Sequence, residues 1–229
     1  MSRILEVVQV SKEFSGTGAY ALDSVSFELS TGEVVALVGP NGAGKTTLAR
    51  IILDLVRPSA GEVRLFGLTS KNQSWTQDVG YLPESFHVSS VFTGEGFLRH
   101  IGQLRDLAGG QLNERITRRL SQFGLSECKA VLVSRYSKGM MTRLGLAQAV
   151  LHDPRLLILD EPADGLDARG REAVRALLEE FRAKGGSVLL SSHGLSEVEM
   201  DADRMIIMEA GKINGVVETK ASRRKTLRP

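Results

Sequence analysis

The sequence has very little cysteine and almost no excess of charge of either sign. Cys128 is its single cysteine among 229 residues, so an internal disulfide is excluded, and no partner stands at a spacing typical of zinc or redox sites. The 29 basic and 27 acidic residues leave a formal net charge of +2, which gives no overall field that would favour nucleic acid as the main partner. We therefore interpret Cys128 as incidental in a reducing compartment and expect charge specificity to be local.

Long hydrophobic runs are also absent from the sequence. No apolar stretch approaches the ~20 residues that cross a bilayer. The N-terminal segment MSRILEVVQVSKEF has neither the apolar region nor the small-residue cleavage site of a signal peptide. The sequence thus predicts a chain without direct membrane insertion, which would need a second polypeptide to act across a membrane.

Strand and helix patterns alternate along most of the chain. Hydrophobic β-rich segments predict strands at residues 4–10, 24–29, 33–38, 62–66, 79–82, 156–159, 187–191 and 205–208. Helical spacing predicts helices at residues 44–55, 168–183 and 195–201, and a helical block from about residue 93 to residue 152 that includes an amphipathic helix after Tyr136. This order favours an α/β fold with an inserted helical subdomain.

The predicted organisation is one domain over residues 1–229. Residues 1–83 and 154–219 form its α/β core, and residues 84–153 form the helical subdomain. The last ten residues are a basic tail, for which we expect a solvated, disordered state; near a membrane such a tail would instead attract anionic headgroups. Its basic residues are Lys220, Arg223, Arg224, Lys225 and Arg228.

The segment GPNGAGKTT at residues 39–47 has the pattern of a phosphate-binding loop (P-loop), and it stands between an apolar strand and a helix, as that motif requires. Its glycines let the backbone N–H groups point inward, and the helix N-terminus adds positive potential. We expect Lys45 to contact the β- and γ-phosphates and the Thr46 hydroxyl to ligate Mg²⁺. The residues predicted to bind the nucleotide here are Gly39, Pro40, Asn41, Gly42, Ala43, Gly44, Lys45, Thr46 and Thr47.

Three further candidate residues follow apolar strands. The segment LLILDEP places Asp160 and Glu161 at a strand end, where buried carboxylates are costly unless they are used. Asp160 is predicted to hold Mg²⁺, and Glu161 to orient or deprotonate a water molecule. His193 ends the segment LLSSH, where it is placed to donate a hydrogen bond to a γ-phosphate. Together with Lys45, Glu161 and His193 are the predicted catalytic residues.

Taken in order, these segments resemble those of the ATP-binding cassette (ABC) ATPases of membrane transporters, over residues 4 to about 217. GPNGAGKTT resembles the Walker A motif, LLILDEP resembles Walker B with its catalytic glutamate, GLD at residues 165–167 resembles the D-loop, and SSH contains the switch histidine. YSKGM at residues 136–140 stands where the family has its signature motif, usually LSGGQ. The resemblance implies a P-loop NTPase core, a mostly parallel sheet flanked by helices with an N-terminal antiparallel β subdomain, which binds ATP and Mg²⁺.

The resemblance also implies binding residues outside these loops. Ser137, Lys138 and Gly139 would form a second phosphate-binding surface, offered to the ATP of a partner subunit. Lys138 would either bring its positive side chain near that γ-phosphate or turn outward and leave only its backbone there. Phe14 is nominated to stack on adenine, with Tyr20 as its rival, because stacking accepts any flat ring within reach.

The sequence departs from the family pattern at several positions. Glu84 replaces the Q-loop glutamine in VGYLPE, which puts a carboxylate near Mg²⁺ and makes Glu84 a third candidate metal ligand. Lys138 replaces the first signature glycine, Met140 its glutamine, and Ala163 a common threonine or serine. The combination of YLPE with YSKGM is similar to ATPase subunits of exporters whose permease is a separate polytopic membrane protein.

The partners implied by the resemblance are a second ABC ATPase subunit in a head-to-tail pair and a polytopic membrane permease. A homodimer is the expected form, although a heterodimer stays open, and no nucleic acid partner is expected. ATP would drive closure of the pair, and Mg²⁺-dependent hydrolysis would reopen it, which couples to translocation. The expected location is cytoplasmic, peripheral on the inner face of the cell membrane through the permease, with export as the expected direction. The chain does not specify the cargo.

Two other classes of function compete with transport. A non-transport ABC ATPase acting on nucleic acid or ribosomes would carry a long coiled-coil insertion or a second cassette. Ser137 lies only 92 residues after Lys45, which leaves no room for such an insertion. The P-loop pattern occurs once, which argues against a second cassette. A GTPase would need an N-K-x-D element, which is missing, and a small-molecule kinase has no use for YSKGM and GLD on either side of Walker B.

Overall fold

The computed structural model describes residues 2–14, 20–69, 77–194 and 201–219. The strands in these residues are β1 (Arg3–Glu13), β2 (Tyr20–Ser30), β3 (Val34–Val38), β4 (Ala60–Leu65), β5 (Leu68–Thr69), β6 (Val79–Leu82), β7 (Leu156–Asp160), β8 (Ser187–Ser192), β9 (Arg204–Glu209) and β10 (Lys212–Glu218). The helices are α1 (Lys45–Ile52), α2 (Gly94–Leu104), α3 (Gly109–Gln122), α4 (Lys138–Ala149) and α5 (Ala168–Ala183). None of these helices has the length and apolar character needed to cross a bilayer.

A six-stranded sheet in the order β10-β9-β3-β8-β7-β6 forms the centre of the fold. The strands from β9 to β6 are parallel, and β10 pairs with β9 in the antiparallel direction. Every residue of β3, β7 and β8 is buried, as expected for parallel strands that are covered on both faces. Parallel pairing brings the carboxyl ends of β3, β8, β7 and β6 to one edge of the sheet.

The two faces of this sheet pack against different layers. Val35 and Leu37 of β3 lie in a hydrophobic cluster with α1 and the antiparallel sheet β2-β1-β4-β5. Ala36 and Val38, which point to the other face, lie in a cluster with α2 to α5. The predicted fold class is confirmed: a mostly parallel sheet with helices, an antiparallel sheet near the N-terminus, and helices α2 to α4 between β6 and β7.

Several element predictions differ from the structure. The first helix was predicted over residues 44–55, but α1 ends at Ile52 because Leu53 leaves the helical conformation. The prediction of an amphipathic helix after Tyr136 is wrong for the second half of α4, where residues 144–147 are all buried. Both the core and the neighbouring helices cover α4 there, so only Gln148 of this half is partly exposed. In the predicted helix at residues 195–201, positions 195–200 lie outside the described residues, as does the tail from residue 220 onward.

Strands β5 and β10 were not predicted from the sequence. Asn214 and Gly215 interrupt the β-rich pattern of β10, and the pairing of β10 with β9 is irregular at that point. The turn between these strands contains Ala210 and Gly211, both with positive φ, at 47° and 79°. Two successive residues with positive φ give a tight hairpin, and this geometry holds β10 on the sheet despite its weak pattern.

Candidate functional site

The P-loop connects the end of β3 to the start of α1. Gly42 and Gly44 have φ values of 82° and 99°, which glycine adopts without the steric cost that other residues incur. At Gly39 a Cβ atom would overlap the carbonyl oxygen of Met208 on β9, so only glycine fits there. A Cβ at Gly44 would lie 2.6 Å from the carbonyl oxygen of Ala21, so the start of β2 also packs closely against the loop. The loop is therefore shaped by two neighbouring strands as well as by its own sequence.

Lys45 follows this loop as the first residue of α1 and is only 6% exposed. Its Nζ donates hydrogen bonds to the carbonyl oxygens of Gly39, at 2.7 Å, and Pro40, at 3.3 Å. The same Nζ lies 3.4 Å from Glu161 Oε1, an ion-pair distance without hydrogen-bond geometry. The ammonium group is thus held between two carbonyl oxygens of the loop and the carboxylate that follows β7.

Asp160, the last residue of β7, is a buried carboxylate with one oxygen unused. Its Oδ1 accepts a hydrogen bond from Ser191 Oγ on β8, and its Oδ2 has no partner within the described part of the chain. A buried ionised oxygen without a partner is costly unless it binds a cation. Thr46 Oγ1, in the first turn of α1, lies 3.5 Å from Glu84 Oε2.

This donor set fits Mg²⁺. No group of three or more His, Cys, Asp or Glu side chains in the described ranges has metal-binding geometry. A protein cage is not required for Mg²⁺, because it is usually held by one or two oxygen ligands together with waters and substrate phosphates. The hydroxyl of Thr46 and the free oxygen of Asp160 are hard oxygen ligands of this kind.

Glu161 follows Asp160 and has an unusual backbone for a residue with a side chain. Its φ is 50°, in the left-handed region, and its N–H donates to Ser191 Oγ at 3.0 Å. Glu161 Oε2 accepts a hydrogen bond from the His193 backbone N–H at 3.3 Å and lies 3.0 Å from His193 Nδ1. A left-handed backbone at a residue with a side chain costs of order 1–3 kcal/mol, and such strain is concentrated at functional sites. The contacts of the Glu161 carboxylate place it between Lys45 and His193.

The signature segment begins α4. Ser137 is its N-cap, with Oγ accepting from the Met140 N–H at 3.2 Å, and both Ser137 and Lys138 are exposed. Lys138 Nζ donates to Asp164 Oδ2 at 2.8 Å, a contact within the chain that the sequence did not predict. This hydrogen bond is the main reason that the pKa of Asp164 lies below its ordinary value.

The candidate adenine-stacking residues lie near each other. Phe14 directly follows Glu13, which pairs with Tyr20 across the β1–β2 ladder. Phe14 is 43% exposed and Tyr20 is 55% exposed, so both rings are accessible. Lys12 Nζ lies 5.0 Å from the centre of the Phe14 ring. The geometry leaves both aromatic residues as candidates.

The structure brings most of the predicted residues to the carboxyl edge of the large sheet. Lys45 and Thr46 follow β3, Asp160 ends β7 with Glu161 directly after it, and His193 follows β8. Glu84 follows β6 and lines a cavity of about 430 Å³ that also borders Asp160, Glu161, Lys138 and Asp164. Sequence reasoning missed Ser191 and Asp164. Ser191 stands inside the SSH segment and Asp164 just before GLD, and these positions were the available signals.

The chain is similar to known proteins in sequence and in fold. The family model described as ABC transporter matches residues 22–164. The chain is 39% identical to an uncharacterized ABC transporter ATP-binding protein, all4389, of Nostoc sp., over 84% of the chain and 58% of that relative. It is 36% identical to the bacitracin transport ATP-binding protein BcrA of Enterococcus faecalis, over 93% of the chain and 68% of that protein. Among several curated relatives, the chain spans 58% to 64% of their length.

A solved structure gives the same result. The structure of an ATP binding subunit of an ABC transporter superposes with a TM-score of 0.86 at 31% identity, covering 97% of this chain and 93% of that one. The matched family model includes the P-loop and the Asp160–Glu161 pair. The chain belongs to the ABC transporter family, as one of its ATP-binding proteins.

Proposed function

We propose that this chain is the ATP-hydrolysing subunit of an ABC membrane transporter and that it drives translocation, in the export direction, by a separate membrane permease. The observation that supports it best is the contact of Glu161 with both Lys45 and His193 at the mouth of the P-loop. The relative BcrA is named for bacitracin transport, which supports a transport role for this chain. The pairing of YLPE with YSKGM supports a separate permease and export.

The catalytic roles follow from the contacts. Phosphate oxygens of ATP on the P-loop would replace the carbonyl oxygens of Gly39 and Pro40 as hydrogen-bond acceptors for the Lys45 ammonium, because a charged acceptor bonds more strongly than a neutral one. Glu161 would orient and polarise the attacking water, and His193 would donate a hydrogen bond to the γ-phosphate.

Thr46 Oγ1 and Asp160 Oδ2 are the residues proposed to hold Mg²⁺, which would supply positive charge against the β- and γ-phosphates. Glu84 Oε2, 3.5 Å from Thr46 Oγ1, is the proposed third ligand of this site. Ser191 Oγ donates to Asp160 Oδ1 and accepts from the Glu161 N–H, so it links the Asp160 carboxylate to the Glu161 backbone.

A pair of subunits would complete the site. The N-terminus of α4 is exposed at Ser137 and Lys138, and helix N-termini bind phosphate through free N–H groups and the helix dipole. Ser137, Lys138 and the Gly139 N–H would thereby contact ATP that is held by the P-loop of a partner, with a second copy of this chain as the expected partner. Closure around ATP would then favour one conformation of the attached permease.

The ATPase part is tested with Glu161→Gln. This variant keeps the side-chain shape but removes the carboxylate, so hydrolysis stops while ATP still binds. We expect size-exclusion chromatography with light scattering to show a dimer with ATP and Mg²⁺ and a monomer with ADP and Mg²⁺. The added change Lys45→Ala is the control and should restore the monomer. A variant that stays monomeric with ATP and Mg²⁺ would contradict the proposed pair.

The transport part is tested with a membrane partner. A polytopic membrane protein encoded next to this chain, co-purified and reconstituted into proteoliposomes, is expected to stimulate ATP hydrolysis severalfold over the isolated subunit. Glu161→Gln in the same complex should abolish the stimulated activity. Rapid phosphorylation of a small molecule by the isolated subunit would argue against a transporter.

A further inference from the structure

The ion pair between Lys138 and Asp164 joins two motifs that lie far apart in the sequence. Lys138 is the first residue of α4, and Asp164 lies in the loop between β7 and α5. Their side chains are 67% and 49% exposed, and Lys138 Nζ lies 2.8 Å from Asp164 Oδ2. The pair therefore connects the signature segment to the loop that follows Glu161, inside one chain.

The end of the lysine side chain also lies against the loop that carries Asp164. A Cβ atom on Gly165 would lie 2.8 Å from Lys138 Cδ and Cε and 2.9 Å from its Nζ, so the lysine lies directly over this glycine. Gly165 has a φ of 69°, which a residue with a side chain rarely adopts. Gly139 lies beside the same loop, near Leu166. Only a glycine at 165 accommodates this lysine conformation.

Asp164 is also connected to the catalytic glutamate. The Asp164 N–H donates to the Glu161 carbonyl oxygen at 3.1 Å. Lys138 and Asp164 line the same cavity as Asp160 and Glu161. The Asp164 side chain thus links a cation of the signature segment to the loop that follows Glu161.

Building on the proposed function, we propose that Asp164 is a positioning residue that withholds the Lys138 ammonium from the nucleotide of the partner subunit until the pair closes. In the open subunit Lys138 bonds to Asp164. In the closed pair it exchanges Asp164 for a phosphate oxygen of ATP bound to the partner. The exchange is easy because an exposed ion pair is weak, whereas a phosphate offers more negative charge than a carboxylate.

The test measures the ATP concentration that gives half-maximal dimerisation, with Mg²⁺ and in the Glu161→Gln background. Asp164→Asn removes the competing carboxylate, so we expect a concentration about two- to fivefold lower. Lys138→Met removes the cation and should raise it. Asp164→Asn added to Lys138→Met should have no further effect, because no lysine is left to release. High salt should shrink the effect of Asp164→Asn.

A matched control pair lies on the antiparallel sheet. Arg3 and Glu28 are 57% and 49% exposed and lie 2.6 Å apart, so they resemble Lys138 and Asp164 in exposure and distance. Glu28→Gln should leave the half-maximal ATP concentration unchanged, and urea unfolding midpoints of all variants show that they are folded.

The possible failures are distinguishable. If the Glu161→Gln parent forms no dimer with ATP, the proposed function is refuted and the role of Asp164 with it. If the parent dimerises but Asp164→Asn has no effect, only the positioning role is refuted. An Asp164→Asn effect that persists beside Lys138→Met also refutes it, because the aspartate would then act without the lysine.

Discussion

His152 provides a prediction about pH-dependent stability. It lies between α4 and β7, and its Nε2 is 3.2 Å from the carbonyl oxygen of Val79 and 3.2 Å from Arg105 Nη1. Burial first, and then the Arg105 charge, lower the pKa of His152 to about 4 from its ordinary value of 6.5. Arg115 lowers this pKa further, while the Val79 carbonyl and Asp153 raise it. His152 is therefore neutral in the folded chain at neutral pH.

The expected magnitude follows from linkage between protonation and folding. Because the pKa is lower in the folded state, the unfolded chain binds the proton first as the pH falls below 6.5, and the folded state loses stability down to about pH 4. Between pH 7 and pH 4.5 this residue alone should lower the free energy of unfolding by about 2 kcal/mol. Below pH 4 both states are protonated, and the loss levels off at about 3 kcal/mol.

The assay is urea unfolding followed by circular dichroism at pH 7 and pH 4.5. Other groups also titrate in this range, so the quantity to compare is the pH-dependent loss in the wild type minus that in His152→Gln. We expect the variant to lose about 2 kcal/mol less than the wild type over this interval. His87→Gln, at an exposed position, is the control and should behave like the wild type. Equal losses in His152→Gln and the wild type would refute the assignment of a partly buried, neutral histidine.

Three further predictions concern packing, the signature and the adenine site. Gly80→Ala should lower the free energy of unfolding by about 1–3 kcal/mol in urea, since its Cβ would overlap the Ala149 carbonyl oxygen; Gly215→Ala, with no described atom within 4 Å of its Cβ, should change little. Ser137→Arg should abolish ATPase activity in the assembled transporter and leave ATP binding to the isolated subunit intact, as measured by calorimetry. Loss of ATP binding by the isolated subunit would contradict the placement of this segment at the nucleotide of a partner. Phe14→Ala should weaken ATP binding by about 1–3 kcal/mol in the same assay, and an equal effect confined to Tyr20→Ala would assign the stacking to that residue.

Local patterns predicted those parts of the protein whose geometry is set by neighbouring residues. Helix α5 spans residues 168–183 as predicted, because Asp167 caps it by accepting from the Gly170 N–H at 2.7 Å, and Lys184 ends it. The glycines of the P-loop pattern predicted its tight backbone turn, and the apolar runs predicted the buried strands beside it. Ser137 was likewise recognisable as a helix cap from the residue type alone.

The sequence did not predict contacts that depend on how distant segments dock. The amphipathic interpretation of α4 failed in its second half because burial on several sides depends on the surrounding layers. Strand β10 was missed because the hairpin at Ala210 and Gly211, rather than an apolar pattern, fixes it to the sheet.

By itself, the sequence determined the P-loop, the apolar strands and the acidic pair Asp160–Glu161, because each is encoded by consecutive residues. Only the tertiary structure decided their arrangement: the strand order β3-β8-β7 places Ser191 of β8 beside Asp160 of β7. It also decided the partner of Lys138, an aspartate 26 residues further along the chain. The physical reason is that backbone conformation responds to adjacent residues, whereas an ion pair or a buried hydrogen bond requires two segments to be packed together first.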